Sequence, residues 1–167
     1  MILNPNSYEK CFYIKRERVW RREGKCIVHI EPLFPGYLFI STKTPNEVFL
    51  ELKKVPQLTK LLGNEGDFGE EMFLPVAEEE RELMENLIHG DSENLVRLSE
   101  VNLDESGWII AVKGPLEKYV DRIVKRKIRL RYVVVRIMLL GVERDVLIGI
   151  RLKEDYQYRK TKTERRK

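Results

Sequence analysis

Between residues 107 and 152 the chain is written as four strand-length segments, 108–112, 122–131, 132–140 and 146–152, and the residues between them include two obvious turns, Lys113-Gly114-Pro115 and Gly141-Val142-Glu143-Arg144-Asp145. Short segments rich in Val and Ile, joined this tightly, leave no room for helices to cover sheet edges. A sheet that closes on itself removes those edges, so this part is expected to form a small all-β barrel over residues 105–155. Residues 156–167 are basic and polar and are expected to be a disordered tail.

Upstream the periodicity changes twice. Residues 10–19 read as a strand running into Lys15-Arg16-Glu17-Arg18-Val19-Trp20-Arg21-Arg22, and Glu23-Gly24-Lys25 turns it into a return strand at 26–29. A second apolar run, Leu33-Phe34-Pro35-Gly36-Tyr37-Leu38-Phe39-Ile40, predicts a buried strand beginning near Gly36. Val48, Phe49, Leu52 and Val55 then share one face of a helix that Pro56 stops, with its cap near Asn46. Residues 63–69, with three glycines, read as a surface loop. Pro75-Val76 opens a second helix with Leu83, Leu87 and Ile88 as its buried stripe, ended by His89-Gly90-Asp91-Ser92. The polar stretch 94–104 reads as a linker between domains 1–93 and 105–155.

Several function classes are disfavoured. No apolar run approaches the roughly 20 residues of a membrane-spanning helix, and Met1–Ser7 lacks the basic and apolar segments of a secretory signal, so cytoplasm is the expected compartment. Cys11, Cys26, His29 and His89 do not stand at metal-ligand spacing, so neither a metal nor a cofactor is expected, and in a reducing compartment the two thiols are expected packed or idle. No Gly-rich phosphate loop, no nucleophile with a base and no acidic metal cluster argues for an enzyme.

Charge is unevenly divided: residues 1–98 hold 13 Lys/Arg against 17 Asp/Glu, whereas 99–167 hold 18 against 10. A basic C-terminal part favours phosphate partners. Within it, Lys125, Lys127, Arg129 and Arg131 alternate with Val124, Ile128 and Leu130. Strand geometry puts the four cations on one face, where they repel unless phosphates neutralise them; a solvated barrel face is the plainer alternative. Lys113, Lys118 and Arg122 extend this patch. Arg16, Arg18, Arg21 and Arg22, with Trp20 among them, offer additional nucleic-acid contacts, and a solvated hairpin tip explains them equally well.

The order of these features, and the wording Leu33-Phe34-Pro35-Gly36-Tyr37-Leu38-Phe39-Ile40, resembles the NusG family of transcription factors. Gly107-Trp108-Ile109-Ile110-Ala111-Val112-Lys113-Gly114-Pro115-Leu116, on through Gly149-Ile150, looks like the KOW module of that family, and the resemblance covers about residues 10–153. It implies an α+β NusG-like (NGN) domain, with an antiparallel sheet and flanking helices, followed by a small SH3-like KOW barrel. Within the family, the basic C-terminal half and the Pro-Leu-Phe-Pro-Gly-Tyr-Leu-Phe wording are similar to the antitermination paralogue LoaP. The family resemblance implies docking on the clamp helices of RNA polymerase, with Phe34, Tyr37 and Phe39 as the aromatic contacts; core packing is the alternative reading of these three. The similarity to LoaP also implies an RNA hairpin in the nascent transcript on the KOW part, non-template DNA as a further contact, and a monomer. A general RNA-binding or ribosome-associated KOW protein is the other reading. The opening strand and amphipathic helix usual in the family have no counterpart ahead of Tyr8, which points to a late start codon or a shortened chain.

Overall fold

The computed structural model describes residues 6–22, 25–54, 63–65, 71–73 and 75–156. The first expected strand is broken in two. β1 (Lys10–Phe12) and β2 (Lys15–Arg22) flank a kink at which Ile14 is buried and the Lys15 amide bonds the Asn94 carbonyl. β2 pairs antiparallel with β3 (Lys25–Pro32) from Lys15↔Pro32 to Arg22↔Lys25, the expected hairpin, whose tip at 23–24 lies outside the described residues.

The next strand begins later than the apolar run predicts. Gly36 adopts φ +85, and the Tyr37 amide bonds the Phe34 carbonyl, so Leu33 to Leu38 form a turn before β4 (Phe39–Ser41). β4 pairs with β1, placing Phe12 opposite Phe39.

α1 (Pro45–Lys53) is entered from Thr44 rather than Asn46, because Pro45 supplies the preset φ of the first turn and needs no amide partner. Val48 and Leu52 are its buried face; the Val55 and Pro56 assigned to its end lie outside the described residues. The ends of the predicted loop are paired: β5 (Gly63–Glu65) and β6 (Glu71–Phe73) form a short antiparallel ladder. Residues 66–70 lie outside the described residues.

α2 (Glu78–Ile88) starts after Val76 because Ala77 takes the capping position, its amide donating to the Glu80 carboxylate at 3.2 Å. Three glutamates in the first turn suit the positive end of the helix dipole. His89 closes the helix in the left-handed region at φ 52.

Residues 94–104 are not a linker. β7 (Leu95–Val96) pairs parallel with β2, while β8 (Ser99–Leu103) lies between β12 (Val142–Leu152) and β9 (Ile109–Lys113). The reason is burial: Leu95, Val96, Leu98 and Val101 all join the core side of their sheets. With β10 (Ile123–Lys127) and β11 (Tyr132–Leu139), strands β8, β9 and β12 form a curled five-stranded sheet in the order β10-β11-β12-β8-β9. The supposed linker thus supplies its fifth strand. The β11–β12 turn is also tighter than expected: Leu139 pairs with Val142, leaving Leu140 (φ 56) and Gly141 (φ 68), both positive as a type I′ turn requires.

Inward residues of the curled sheet, Val133, Val135, Ile137, Leu139, Val146, Ile148, Ile150 and Leu152, join Leu33, Phe34, Phe39, Leu83, Met84 and Leu87 in one core. Burying each such aliphatic side chain contributes about 1.5–3 kcal/mol. The seam between the N-terminal elements and the curled sheet depends on Gly149: a Cβ there would stand 2.3 Å from the Glu17 carbonyl oxygen and 2.7 Å from Leu98 Cδ2. That close approach lets Arg16 Nη1 donate to the Leu147 carbonyl at 3.1 Å. Across the same seam the Gly141 amide donates to Glu80 Oε1 at 3.2 Å, and Lys118 Nζ donates to Asn86 Oδ1 at 2.7 Å.

Candidate nucleic-acid interface

The basic strand predicted over 122–131 is shorter in the structure. β10 ends at Lys127, Ile128–Leu130 form a 3-10 turn, and Arg131 follows in the left-handed region at φ 57. Lys125 and Lys127 are exposed on β10, and Arg129 is exposed on the turn.

Arg131 is not part of this surface. Its side chain is 2 % exposed and grips Asp155 with two hydrogen bonds, Nε to Oδ2 at 2.7 Å and Nη2 to Oδ1 at 2.8 Å. Nη2 also pairs with Glu154, and Nη1 donates to the Ile128 carbonyl at 2.8 Å. Asp155 Oδ2 in turn accepts from the Leu152 amide. Burial pushes the Asp155 carboxyl up, but the Arg131 and Leu152 hydrogen bonds outweigh it and hold the group below its ordinary value. A guanidinium so used cannot take a phosphate, so the assignment of Arg131 to nucleic acid is corrected to a buried clamp joining β11 to the end of β12.

The remaining members of the predicted patch divide. Lys113, Lys125, Lys127 and Arg129 are exposed and form no ion pair among the described residues. Lys118 is turned toward Asn86 of α2, and the Arg122 guanidinium lies 5.7 Å from the Tyr119 ring centroid. Arg126 was missed. Strict alternation assigned it to the apolar face, yet it is exposed, because β10 is an end strand of the sheet. Its guanidinium lies 3.7 Å from the ring centroid of Trp108. The signal available in the sequence was Trp108 itself, an aromatic beside the Gly107 turn.

The hairpin arginines fare differently. Arg16 Nη2 is 2.7 Å from Glu31 with its side chain 12 % exposed, and Arg18 is 3.5 Å from the same carboxylate while lying over the Tyr132 ring. Glu31 also accepts from His29 Nε2 at 3.1 Å. Burial raises the Glu31 carboxyl and the Arg16 and His29 hydrogen bonds lower it, with a net shift downward. Arg16 and Arg18 therefore bind the hairpin to itself and to the curled sheet. Arg21 is exposed, and the Arg22 side chain lies outside the described residues. Trp20 is exposed on this hairpin and packs at a tilt against His29, with centroids 4.0 Å apart.

Phe34 and Phe39 are core residues, packed edge to face at 6.0 Å, with Phe12 stacked on Phe39 at 5.7 Å. The strand-face argument explains this: Phe39 points inward opposite Phe12, and its neighbour Leu38 is exposed. As residues presenting aromatic surface, Phe34 and Phe39 are corrected to packing. Tyr37 is half-buried beneath the Arg144 guanidinium.

Both cysteines are free; Cys11 is exposed, and the Cys26 thiol lies 3.8 Å from Asp155 Oδ1, its pKa raised first by burial and then by that carboxylate. Among the described residues no group of three or more His, Cys, Asp or Glu could hold a metal ion, and no helix is long and apolar enough to cross a membrane.

Residues 5–85 match the sequence model of the NusG family, described as transcription termination factor nusG. No curated protein matches the chain.

Proposed function

We infer from the NusG domain at residues 5–85 that the chain is a transcription elongation or termination factor, for which the family implies contact with RNA polymerase and, in general, no catalysis. We propose a specific form of that role: processive antitermination in the cytoplasm, with the N-terminal elements on the polymerase clamp helices and the curled C-terminal sheet acting as a KOW barrel on an RNA hairpin of the nascent transcript. The observation that carries the RNA half is the cluster Lys125, Lys127 and Arg129, exposed on consecutive elements with no carboxylate partner among the described residues. Unpaired cations on one edge of a sheet repel one another, and phosphates relieve that repulsion with release of counterions. Lys113 is a further exposed cation at the end of β9, while Arg21 is exposed near the hairpin end, suited to the non-template DNA strand.

On the polymerase side, Tyr37 and the exposed Leu38 form the contact, and Phe34 and Phe39 hold that turn in place from beneath. The protein works as a monomer of the LoaP kind, loaded by its hairpin. The test is transcription by purified RNA polymerase through a terminator placed downstream of the protein's own leader sequence. Read-through rises when the full chain is present and falls back when the leader hairpin is scrambled. Unchanged termination together with failure to retain polymerase in a pull-down defeats the proposal.

A further inference from the structure

Trp108 stands 58 % exposed just before β9, with the Arg126 guanidinium of β10 3.7 Å from its ring centroid. β9 and β10 are the two end strands of the five-stranded order, so this contact exists only because the sheet curls until its ends meet. The tryptophan backbone is held firmly. Its amide donates to Asp104 Oδ1 at 2.7 Å, its carbonyl accepts from the Asp104 amide at 2.9 Å, and Gly107 at φ +81 makes the turn that delivers it. Arg126 has no ion pair among the described residues. Ile110, two residues further along β9, is 66 % exposed. An exposed cation–π pair adds little to folding, so an indole fixed this way in solvent is better explained by a ligand than by stability.

We propose that Trp108 and Arg126 form a stacking clamp for an unpaired RNA base, so that the barrel's specific ligand is a nucleotide in a loop or bulge. This rests on the reading of the C-terminal sheet as an RNA-binding module. One face of the indole is covered by Arg126, and its exposure leaves the other to receive a base. Lys125 and Lys127 precede and follow Arg126 on β10 and alternate to its other face, from which they attract the RNA backbone at longer range. Bases in loops and bulges are free to stack on aromatic rings and guanidinium planes, whereas bases within an A-form stem are not.

The experiment is fluorescence anisotropy of the full chain with labelled RNA hairpins of identical stem, whose loop nucleotides are either base-bearing or abasic. The abasic loop is expected to bind about tenfold to a hundredfold more weakly. Trp108→Ala is expected to bind both hairpins alike, at the abasic level, and Trp108→Phe to keep part of the discrimination. Equal binding of the two hairpins by the unmodified protein overturns the clamp without recourse to any variant. So does discrimination that survives in Trp108→Ala. Failure to bind either hairpin defeats the RNA-binding reading as well, whereas equal binding defeats the clamp alone.

Discussion

Two parts of this molecule carry the same residue types to opposite ends. On the β2–β3 hairpin, Arg16 and Arg18 converge on Glu31, and Arg16 also reaches the Leu147 carbonyl. On β10 and the turn after it, Lys125, Lys127 and Arg129 meet no carboxylate among the described residues. Arg131, at the end of that same basic run, belongs with the hairpin group because Asp155 and Glu154 enclose it. The difference teaches that a run of cations marks a phosphate site only where the fold withholds acidic partners. Those partners come from distant parts of the chain, so spacing along the run does not reveal them.

The comparison breaks most severely at Asp155. Asp155→Ala leaves Arg131 charged and buried without its main partner, and is expected to cost about 3–5 kcal/mol in denaturant unfolding. A loss under about 1 kcal/mol, the range of exposed pairs, means that Arg131 is solvated and belongs with the free cations after all. Next is Gly149→Ala, which forces a methyl group into the Glu17 carbonyl and Leu98. Overpacking of this kind costs about 1–3 kcal/mol, and the same change should expose the Leu98 amide, which donates to Glu17 Oε2, to faster hydrogen exchange. Unchanged exchange at Leu98 means that the hairpin does not depend on this close approach.

Two charge variants sharpen the contrast directly. Arg16→Gln removes charge-assisted hydrogen bonds and is expected to cost about 1.5–3 kcal/mol while leaving RNA affinity unaltered. Replacing Lys125, Lys127 and Arg129 together by Gln is expected to change stability by no more than about 0.5 kcal/mol, yet to flatten the dependence of RNA affinity on salt by about one unit of slope per lost phosphate contact. If the two variants exchange these phenotypes, the division between structural and free cations is wrong.

Legibility followed the range of the interactions concerned. The hairpin, α2 with its Leu83 and Leu87 stripe, and the strands of the curled sheet were readable because periodicity and turn residues act within a few positions. Residues 94–104 were misread as a linker because two- and five-residue strands are too short for periodicity to register, and their partners β2 and β12 are remote in the chain. Alternation likewise identified the two faces of the segment around Tyr37 to Ile40 without saying which was inward. Packing of Phe39 against Phe12 and Phe34 decided that.

The sequence by itself determined the element types, the order in which they follow one another and the concentration of basic charge after residue 98. Those properties are local, set by backbone preferences, side-chain period and composition. Only the tertiary structure decided that the supposed linker completes the C-terminal sheet, that Arg131 is enclosed while Arg126 meets Trp108, and that Gly149 admits β2 against β12. Each of these depends on groups far apart in the chain reaching van der Waals or hydrogen-bond distance, and the folded core alone fixes those distances.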